Sequence, residues 1–208
     1  MVKDKYCYHG LLWFCQGEDV KIFDSDSGEE LLEHTLSERV DEIELPKYGE
    51  LVPIMTSNTT PSGEVFSNSS VYHSVNPYDW EFYKPFNGLD VPTTSHVSQG
   101  TVFLINEHWG YDFGPNNKAK VKKMLFGTYW YGSEANLSLK NFRVEADNGD
   151  DNWINLGTYY NDVVDSHTDY EIEINNSNYY RRYRIIALDA WNNSNTIIIA
   201  KAQFYGYK

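Results

Sequence analysis

Alternation of apolar and polar residues is the dominant pattern in the second half of this chain. Three segments place apolar side chains at every second position: Trp109, Tyr111 and Phe113; Phe142, Val144 and Ala146; and Tyr170, Ile172 and Ile174. In the last of these, Glu171 and Glu173 occupy the intervening positions. Because successive side chains of a β-strand point to opposite faces of its sheet, this pattern predicts half-buried antiparallel strands.

Two further segments near the C-terminus, residues 185–188 and 197–204, are apolar on both faces. Such strands are typical of the centre of a sheet that a second sheet covers. Prolines, glycines and Asn/Ser/Thr clusters separate the apolar segments at spacings of roughly 8–12 residues, as in a β-sandwich or barrel. The sequence therefore predicts an all-β protein with two packed layers.

The first fifty residues predict a separate small β unit. Residues 6–14 are apolar, residues 20–23 alternate, and the Asp-Ser-Asp-Ser-Gly segment 24–28 indicates a hairpin turn. Residues 29–42 have some helical character but suit strands equally well, and we favour strands. Because Pro46-Lys-Tyr-Gly-Glu50 forms a natural joint, we expect a β-rich N-terminal attachment module over 1–50 and a sandwich over 51–208.

The charge of the chain excludes several classes of partner. Its 208 residues include 17 Lys and Arg against 30 Asp and Glu, a formal net charge of −13. Nucleic acids and anionic membrane surfaces would be repelled unless a local basic patch intervened, and no such patch is evident. Cys7 and Cys15 have no His or Cys at zinc-ligand spacing, and we expect both to be reduced packing residues.

Targeting and catalytic motifs are not recognisable in the sequence. The N-terminus lacks the profile of a secretory signal, and no segment approaches the apolar length of a membrane span, so we expect the protein to remain in a cytoplasm. We find no Gly-x-Ser-x-Gly elbow, phosphate-cradling glycine loop or His-Glu-x-x-His motif. The sequence favours a binding protein over an enzyme.

A series of landmarks carries a family resemblance. In chain order they are Met55-Thr-Ser-Asn-Thr-Thr-Pro-Ser-Gly63, Ser69-Ser-Val-Tyr72, Lys84-Pro-Phe-Asn-Gly88, Trp109-Gly-Tyr-Asp-Phe-Gly114, Glu145-Ala-Asp-Asn-Gly149 with Trp153, Tyr180-Arg-Arg-Tyr-Arg-Ile185 and Gln203-Phe-Tyr-Gly206. Together they resemble the discoidin, or coagulation-factor type C, domains, which include the family 32 carbohydrate-binding modules. The resemblance implies a discoidin-like, galactose-binding-like jelly-roll β-sandwich.

In that family, loops at one end of the sandwich hold glycans. An aromatic ring packs on the C–H surface of the sugar, and a few polar side chains bind its hydroxyls. The resemblance implies that Tyr78 or Trp80, in the loop 72–80, supplies the ring. Packing of Trp80 under Phe82 and Phe86 is the equal alternative.

Four further residues are candidates for ligand binding. His96, in Thr93-Thr-Ser-His96, matches a family histidine that binds a galactose hydroxyl. Trp130 and Tyr131 stand in the loop where sugar-binding relatives carry an arginine, which this chain lacks, so galactose specificity is not implied. Trp191 is another possible stacking ring, although loop packing explains each of these aromatic residues at least as well.

Two other sets of residues, at the family's calcium-ligand positions and at a pair of arginines, are not expected to bind a ligand in this chain. The positions that match the family's calcium-binding Asp and Glu hold Asn87 and Lys201, so we expect no bound metal and no cofactor, with Lys201 pairing with Asp90 instead. Arg182 and Arg184 alternate along one strand, and we expect them to bind carboxylates of neighbouring strands rather than a ligand.

A second resemblance concerns the opening segment 55–63 and the β segment 20–49, which are similar to parts of bacteriophage virion proteins. It implies a non-catalytic virion protein of the tail, baseplate or capsid surface. In that setting the sandwich binds host-surface glycans, and the N-terminal module contacts other virion proteins in a homo-oligomer or multicopy assembly. Two alternatives remain open: a purely structural virion protein, and a carbohydrate-binding module of a secreted bacterial glycosidase.

Overall fold

The computed structural model describes residues 4–8, 11–16, 19–24, 27, 29–35, 46–69, 81–88, 101–127, 130–131, 135–136, 138–163, 168–191 and 195–208. The chain divides into two compact units, Met1–Pro46 and Lys47–Lys208. No helix within the described ranges is long and apolar enough to cross a membrane.

The N-terminal unit contains an antiparallel sheet whose strands follow chain order: β1 (Asp4–Tyr8), β2 (Leu11–Gln16), β3 (Asp19–Asp24) and β4 (Glu30–Thr35). Ile22 of β3 pairs with Trp13 of β2 and with Leu32 of β4. The side chain of Ile22 is fully buried. The antiparallel pairing of β3 with β4 confirms the predicted hairpin around residues 24–28.

The first layer of the sandwich is a five-stranded antiparallel sheet. Its strands are β6 (Glu64–Ser67), β8 (His108–Asp112), β12 (Leu139–Asp147), β13 (Ile154–Tyr160) and β15 (Arg182–Ala190). They lie side by side in the order β13-β12-β15-β8-β6. The apolar residues predicted to share a face in β8 and β12 are all buried.

The second layer is a four-stranded antiparallel sheet. Its strands are β5 (Tyr48–Glu50), β9 (Lys120–Gly127), β14 (Asp169–Glu173) and β17 (Lys201–Tyr207). They lie side by side in the order β14-β9-β17-β5. Two short pairs complete the described strands: β7 (Thr101–Leu104) with β16 (Thr196–Ile199), and β10 (Trp130–Tyr131) with β11 (Ala135–Asn136). Lys84–Phe86 forms a single 3₁₀ turn.

Strand β5 decides where the sandwich begins. Gly49 pairs with Gly206, and Tyr48 with Tyr207, so residues 48–50 form the edge of the four-stranded sheet. The two units divide after Pro46, four residues before the boundary that the sequence predicts after Glu50. The difference arises because a three-residue edge strand with exposed ends has no alternation long enough to recognise.

The core lies between the two layers and is rich in aromatic residues. Phe86 stacks on Trp109 of the five-stranded sheet, with ring centres 4.9 Å apart, and meets Phe204 of the four-stranded sheet at 5.3 Å. Phe126 and Phe142 make a similar contact between the layers at 5.8 Å. Strands β15 and β17 occupy interior positions of their sheets, as predicted. The predicted continuous segment 197–204 is divided, because residues 196–199 form β16 of a two-stranded pair, and β17 alternates between buried and half-buried side chains rather than being apolar on both faces.

Candidate functional site

The registers of both sheets define one end of the sandwich. In the four-stranded sheet, Gly127 at the end of β9 pairs with Asp169 of β14 and Lys201 of β17. In the five-stranded sheet, Leu139 at the start of β12 pairs with Ala190 at the end of β15. At this end, which we call the loop end, strands β9, β13 and β15 finish and strands β12, β14 and β17 begin.

The ligand-binding residues predicted from the sequence belong largely to parts of the chain that are not described. Tyr78, Trp80 and His96 lie outside the described residues. Trp130 and Tyr131 form β10, which pairs with β11 in the connection between β9 and β12, and their side chains also lie outside the described part. The roles of all five residues remain predictions.

Described side chains at the loop end form a row across three neighbouring strands. Tyr160 of β13 is the cross-strand partner of Asn141 of β12, and Asn141 is the partner of Asp189 of β15. Phe142, next to Asn141, is fully buried, so the row faces the outer surface of the sheet. The amide Nδ2 of Asn141 donates to Oδ2 of Asp189 at 3.3 Å.

A β-bulge brings a lysine to this row. The register between β12 and β15 shifts between Leu139 and Asn141, which leaves Lys140 as the extra residue. Bulges re-aim side chains and are over-represented next to active sites. Lys140 Nζ lies 3.2 Å from Asp189 Oδ2 and 5.2 Å from the centre of the Trp191 ring.

Trp191 and Tyr160 form the apolar part of the site. Their rings meet edge to face, with centres 6.1 Å apart and planes inclined by 60°. Tyr160 is 56% exposed, which is unusual for a large aromatic residue. The indole Nε1 of Trp191 is buried and has no hydrogen-bond acceptor in the described structure. We call Tyr160, Asn141, Asp189, Lys140 and Trp191 the Tyr160 cluster.

Sequence reasoning singled out Trp191 but missed the other members of the Tyr160 cluster. A usable signal was present at the end of β13, because Tyr159 stacks on buried Phe142 at 5.8 Å and strand alternation then directs Tyr160 outward. No comparable signal marks Lys140, since its orientation depends on a bulge. The proximity of Asp189 depends on the register of β12 against β15.

The opposite end of both sheets, which we call the basal end, carries paired charges in the five-stranded sheet. Asp147 accepts hydrogen bonds from Arg182 through Nε at 2.6 Å and through Nη2. Glu145 accepts two hydrogen bonds from Arg184 at a single oxygen, Oε2, from Nε at 2.8 Å and from Nη2 at 2.6 Å, while its Oε1 accepts from Arg143 Nε at 2.7 Å. The guanidinium of Arg184 also lies 3.8 Å from the Trp153 ring centre. These contacts confirm that both arginines bind neighbouring strands.

Burial alters the titration of two basal groups. Burial raises the pKa of the Asp147 carboxyl, but hydrogen bonds and the charge of Arg182 outweigh it and hold the pKa below its ordinary value. Lys120 is 1% exposed, with Nζ 4.8 Å from the Tyr207 ring centre and 5.4 Å from that of Tyr179. Burial, with a smaller effect of Lys122, lowers the pKa of Lys120 to about 8.

The positions that match the family's calcium ligands carry no acidic cluster among the described residues. Lys201 Nζ donates to Asp169 Oδ2 at 2.7 Å, whereas Asp90, its expected partner, lies outside the described part. No group of three or more His, Cys, Asp or Glu in the described ranges could hold a metal ion. That the protein binds no metal remains a prediction.

Three comparisons relate this chain to known proteins. No family model matches it, and no curated protein does. Among solved structures it is similar to the module CpGH89CBM32-5 of Clostridium perfringens, solved with GalNAc-β-1,3-galactose, at 9% identity and a TM-score of 0.51, over 68% of this chain and 94% of that one. It also resembles CBM62 from Clostridium thermocellum Xyl5A at 16% identity and a TM-score of 0.51, over 77% and 98%.

A fucolectin from the serum of Morone saxatilis, the striped bass, is a third similar structure, at 13% identity and a TM-score of 0.52, over 73% of this chain and 49% of that one. These neighbours are carbohydrate-binding modules and a lectin, which are non-catalytic, although some such modules belong to multidomain enzymes. At such low identity they establish architecture alone. The chain has the discoidin-like jelly-roll β-sandwich fold shared by carbohydrate-binding modules, as its sequence predicted.

Proposed function

We propose that the sandwich is a non-catalytic carbohydrate-binding module that holds a glycan at its loop end. The observation that carries this proposal is the Tyr160 cluster, where an exposed aromatic ring adjoins amide, carboxylate and ammonium groups. Sugars present both an apolar C–H face and hydroxyl groups, and a shallow site of this composition satisfies both. The sugar-binding neighbours support the same class of function.

A glycan array tests this proposal on the full chain. We expect wild-type protein to bind at least one glycan, with binding reduced in a Trp130→Ala, Tyr131→Ala double variant at the loop end. Multivalent display is needed, because a millimolar single-site affinity corresponds to only about −4 kcal/mol. Tyr48→Ala is the control, since Tyr48 is exposed at the basal end. No binding to any glycan would contradict the proposal and favour a purely structural protein.

The finer part of the proposal concerns where the module works. The sequence resemblance supports a virion surface, with the N-terminal unit attached to other virion proteins and the sandwich contacting host glycans. Similar solved structures include modules of a family 31 glycoside hydrolase from Clostridium perfringens, which support the glycosidase setting more directly. Mass spectrometry of density-purified particles and of the secreted protein fraction from the producing culture distinguishes the two settings.

A further inference from the structure

The row of Tyr160, Asn141 and Asp189 has the geometry of a small polar platform with one apolar end. Direct cross-strand neighbours have Cβ atoms about 5 Å apart, so the row spans about 10 Å. Tyr160 stands at one end of the row and is more than half exposed, and its edge-to-face contact with Trp191 restricts the motion of the ring. A ring that is already ordered loses little conformational entropy when a ligand packs against it.

The carboxylate of Asp189 is held in position but has acceptor capacity left. Its Oδ2 accepts from Asn141 and is paired with Lys140, and its Oδ1 accepts from the backbone N–H of Ala190 at 2.9 Å. A carboxylate offers about four acceptor sites, so one remains. The ammonium group of Lys140 has three N–H donors, and its pairing with Asp189 uses one of them. Adjacent donors and an acceptor suit hydroxyl groups, which both donate and accept.

The charge balance of the row selects against acidic ligands. Asp189 lies 3.2 Å from Lys140 and compensates its charge, so the pair presents no net positive field. A ligand carboxylate at this position would lie next to the Asp189 carboxylate, and like charges at close range repel. The protein as a whole is also strongly negative, at −13. A neutral ligand is repelled neither by the Asp189 carboxylate nor by the net negative charge of the protein.

Trp191 shows that local stability alone does not explain the composition of this cluster. A buried donor without an acceptor costs about 1–3 kcal/mol, and a phenylalanine would avoid that cost. Its indole nevertheless lies against Lys140 and Tyr160, two residues of the cluster. A local cost of this kind is expected where a surface is arranged for a ligand.

From these observations we propose that the Tyr160 cluster is a subsite for a neutral pyranose with vicinal hydroxyls. The C–H face of the sugar packs on Tyr160, and two adjacent hydroxyls bind Asp189 and Lys140. This inference rests on the proposed glycan-binding function and adds to it the residues, the ligand class and the exclusion of uronic and sialic acids.

The test measures binding of neutral and acidic monosaccharides to the full chain by ¹⁵N NMR titration. The probes are the methyl glycosides of galactose, N-acetylgalactosamine, fucose and xylose, with glucuronic acid and N-acetylneuraminic acid as the acidic set. For wild type we expect shifts at the backbone amides of Asn141 and Ala190 with at least one neutral probe and none with the acidic ones. Tyr160→Ala should weaken neutral binding about tenfold or more, whereas Tyr48→Ala, at a tyrosine of similar exposure at the basal end, should leave it unchanged.

Asp189→Asn gives a readout that a structural role would not produce. The substitution keeps the side-chain shape but leaves Lys140 uncompensated, so neutral binding should fall several-fold while acidic probes begin to bind. Neutral binding that persists in both Tyr160→Ala and Asp189→Asn would overturn the subsite and leave the glycan-binding function intact. Binding to no probe and to no glycan on the array would overturn both. Acidic probes that bind wild type as well as neutral ones would overturn the ligand class.

Discussion

Polar side chains at the loop end and at the basal end of the five-stranded sheet differ in burial and in how completely their hydrogen-bonding groups are satisfied. At the basal end, Asp147 and Glu145 are nearly buried, and each accepts two hydrogen bonds from one guanidinium. At the loop end, Asp189 is 37% exposed and paired with one lysine, and Trp191 has a buried N–H without an acceptor among the described residues.

This difference agrees with the proposal that the basal end is structural and that the loop end binds a ligand. Burying a charge is costly unless a partner compensates it, and bidentate arginine–carboxylate pairs provide that compensation with fixed geometry. Partly satisfied groups at an exposed surface keep bonding capacity for an external partner. The basal pairs therefore hold the strands together, and the Tyr160 cluster is the surface that can accept new bonds.

The largest effect is expected from close packing at the basal end. A Cβ at Gly206 would lie 1.9 Å from the backbone oxygen of Lys120, whereas a Cβ at its cross-strand partner Gly49 would meet nothing within 4 Å. Gly206→Ala should therefore destabilise the sandwich by about 4 kcal/mol or more, and Gly49→Ala by no more than about 0.5 kcal/mol. Urea unfolding measures both, and equal midpoints for the two variants would show that the basal end is not rigid.

Loss of a buried carboxylate should have the next largest effect. Asp147→Asn leaves Arg182 with only the exposed Asp151 as a charged partner and should cost about 3 kcal/mol at pH 7. Because the pKa of Asp147 is held below its ordinary 3.8, its contribution is complete above that pH and is lost as pH falls through the lower folded value. Urea unfolding at pH 7 and pH 2.5 should therefore show a difference that shrinks in acid.

Asp151→Asn is the matched control for this substitution. Asp151 also bonds Arg182, at 2.7 Å, but its side chain is 82% exposed. An exposed pair of this kind should contribute less than about 1 kcal/mol. If both variants lose the same free energy of unfolding, burial of Asp147 is not what makes its pairing with Arg182 stabilising.

Lys120 should make stability depend on alkaline pH. Its pKa is lowered to about 8 in the folded protein against 10.5 for the ordinary side chain, so the folded state releases its proton first. Wild-type stability should rise by roughly 2 kcal/mol relative to Lys120→Met as pH increases from 7 to 10, since the cost of the buried charge disappears. Urea unfolding across this range measures the difference, and parallel pH profiles would contradict it.

The smallest effect is expected at Trp191. Trp191→Phe removes an N–H that has no acceptor, but the smaller ring also loses part of the contacts with Lys140 and Tyr160, so the two effects offset each other and stability should stay within about 0.5 kcal/mol of wild type or increase. Trp109→Phe is the contrast, because Trp109 Nε1 donates to the backbone oxygen of Phe82 at 2.9 Å, and the loss should be about 1–3 kcal/mol. Thermal unfolding of the two variants measures the contrast, and a comparable loss in both would mean that the Trp191 N–H is satisfied in solution.

The fold was predictable because burial patterns are local in sequence. Alternation at Phe142, Val144 and Ala146 identified a strand and its buried face without knowledge of its neighbours. The three-residue strand β5 escaped recognition because it is stabilised by pairing with β17 and has little pattern of its own. Most of the predicted ligand-binding residues rest on family resemblance, and their side chains lie outside the described part of the chain.

The sequence by itself determined the all-β class, the two-layer core and the clamping role of Arg182 and Arg184, since each follows from residue types at a spacing of two along a strand. Tertiary structure decided which residues meet at the loop end. Tyr160, Asn141 and Asp189 are far apart in the chain, and only the pairing of β12 with β13 and β15 places them in one row. Lys140 joins them through a bulge, which exists only once two strands are paired.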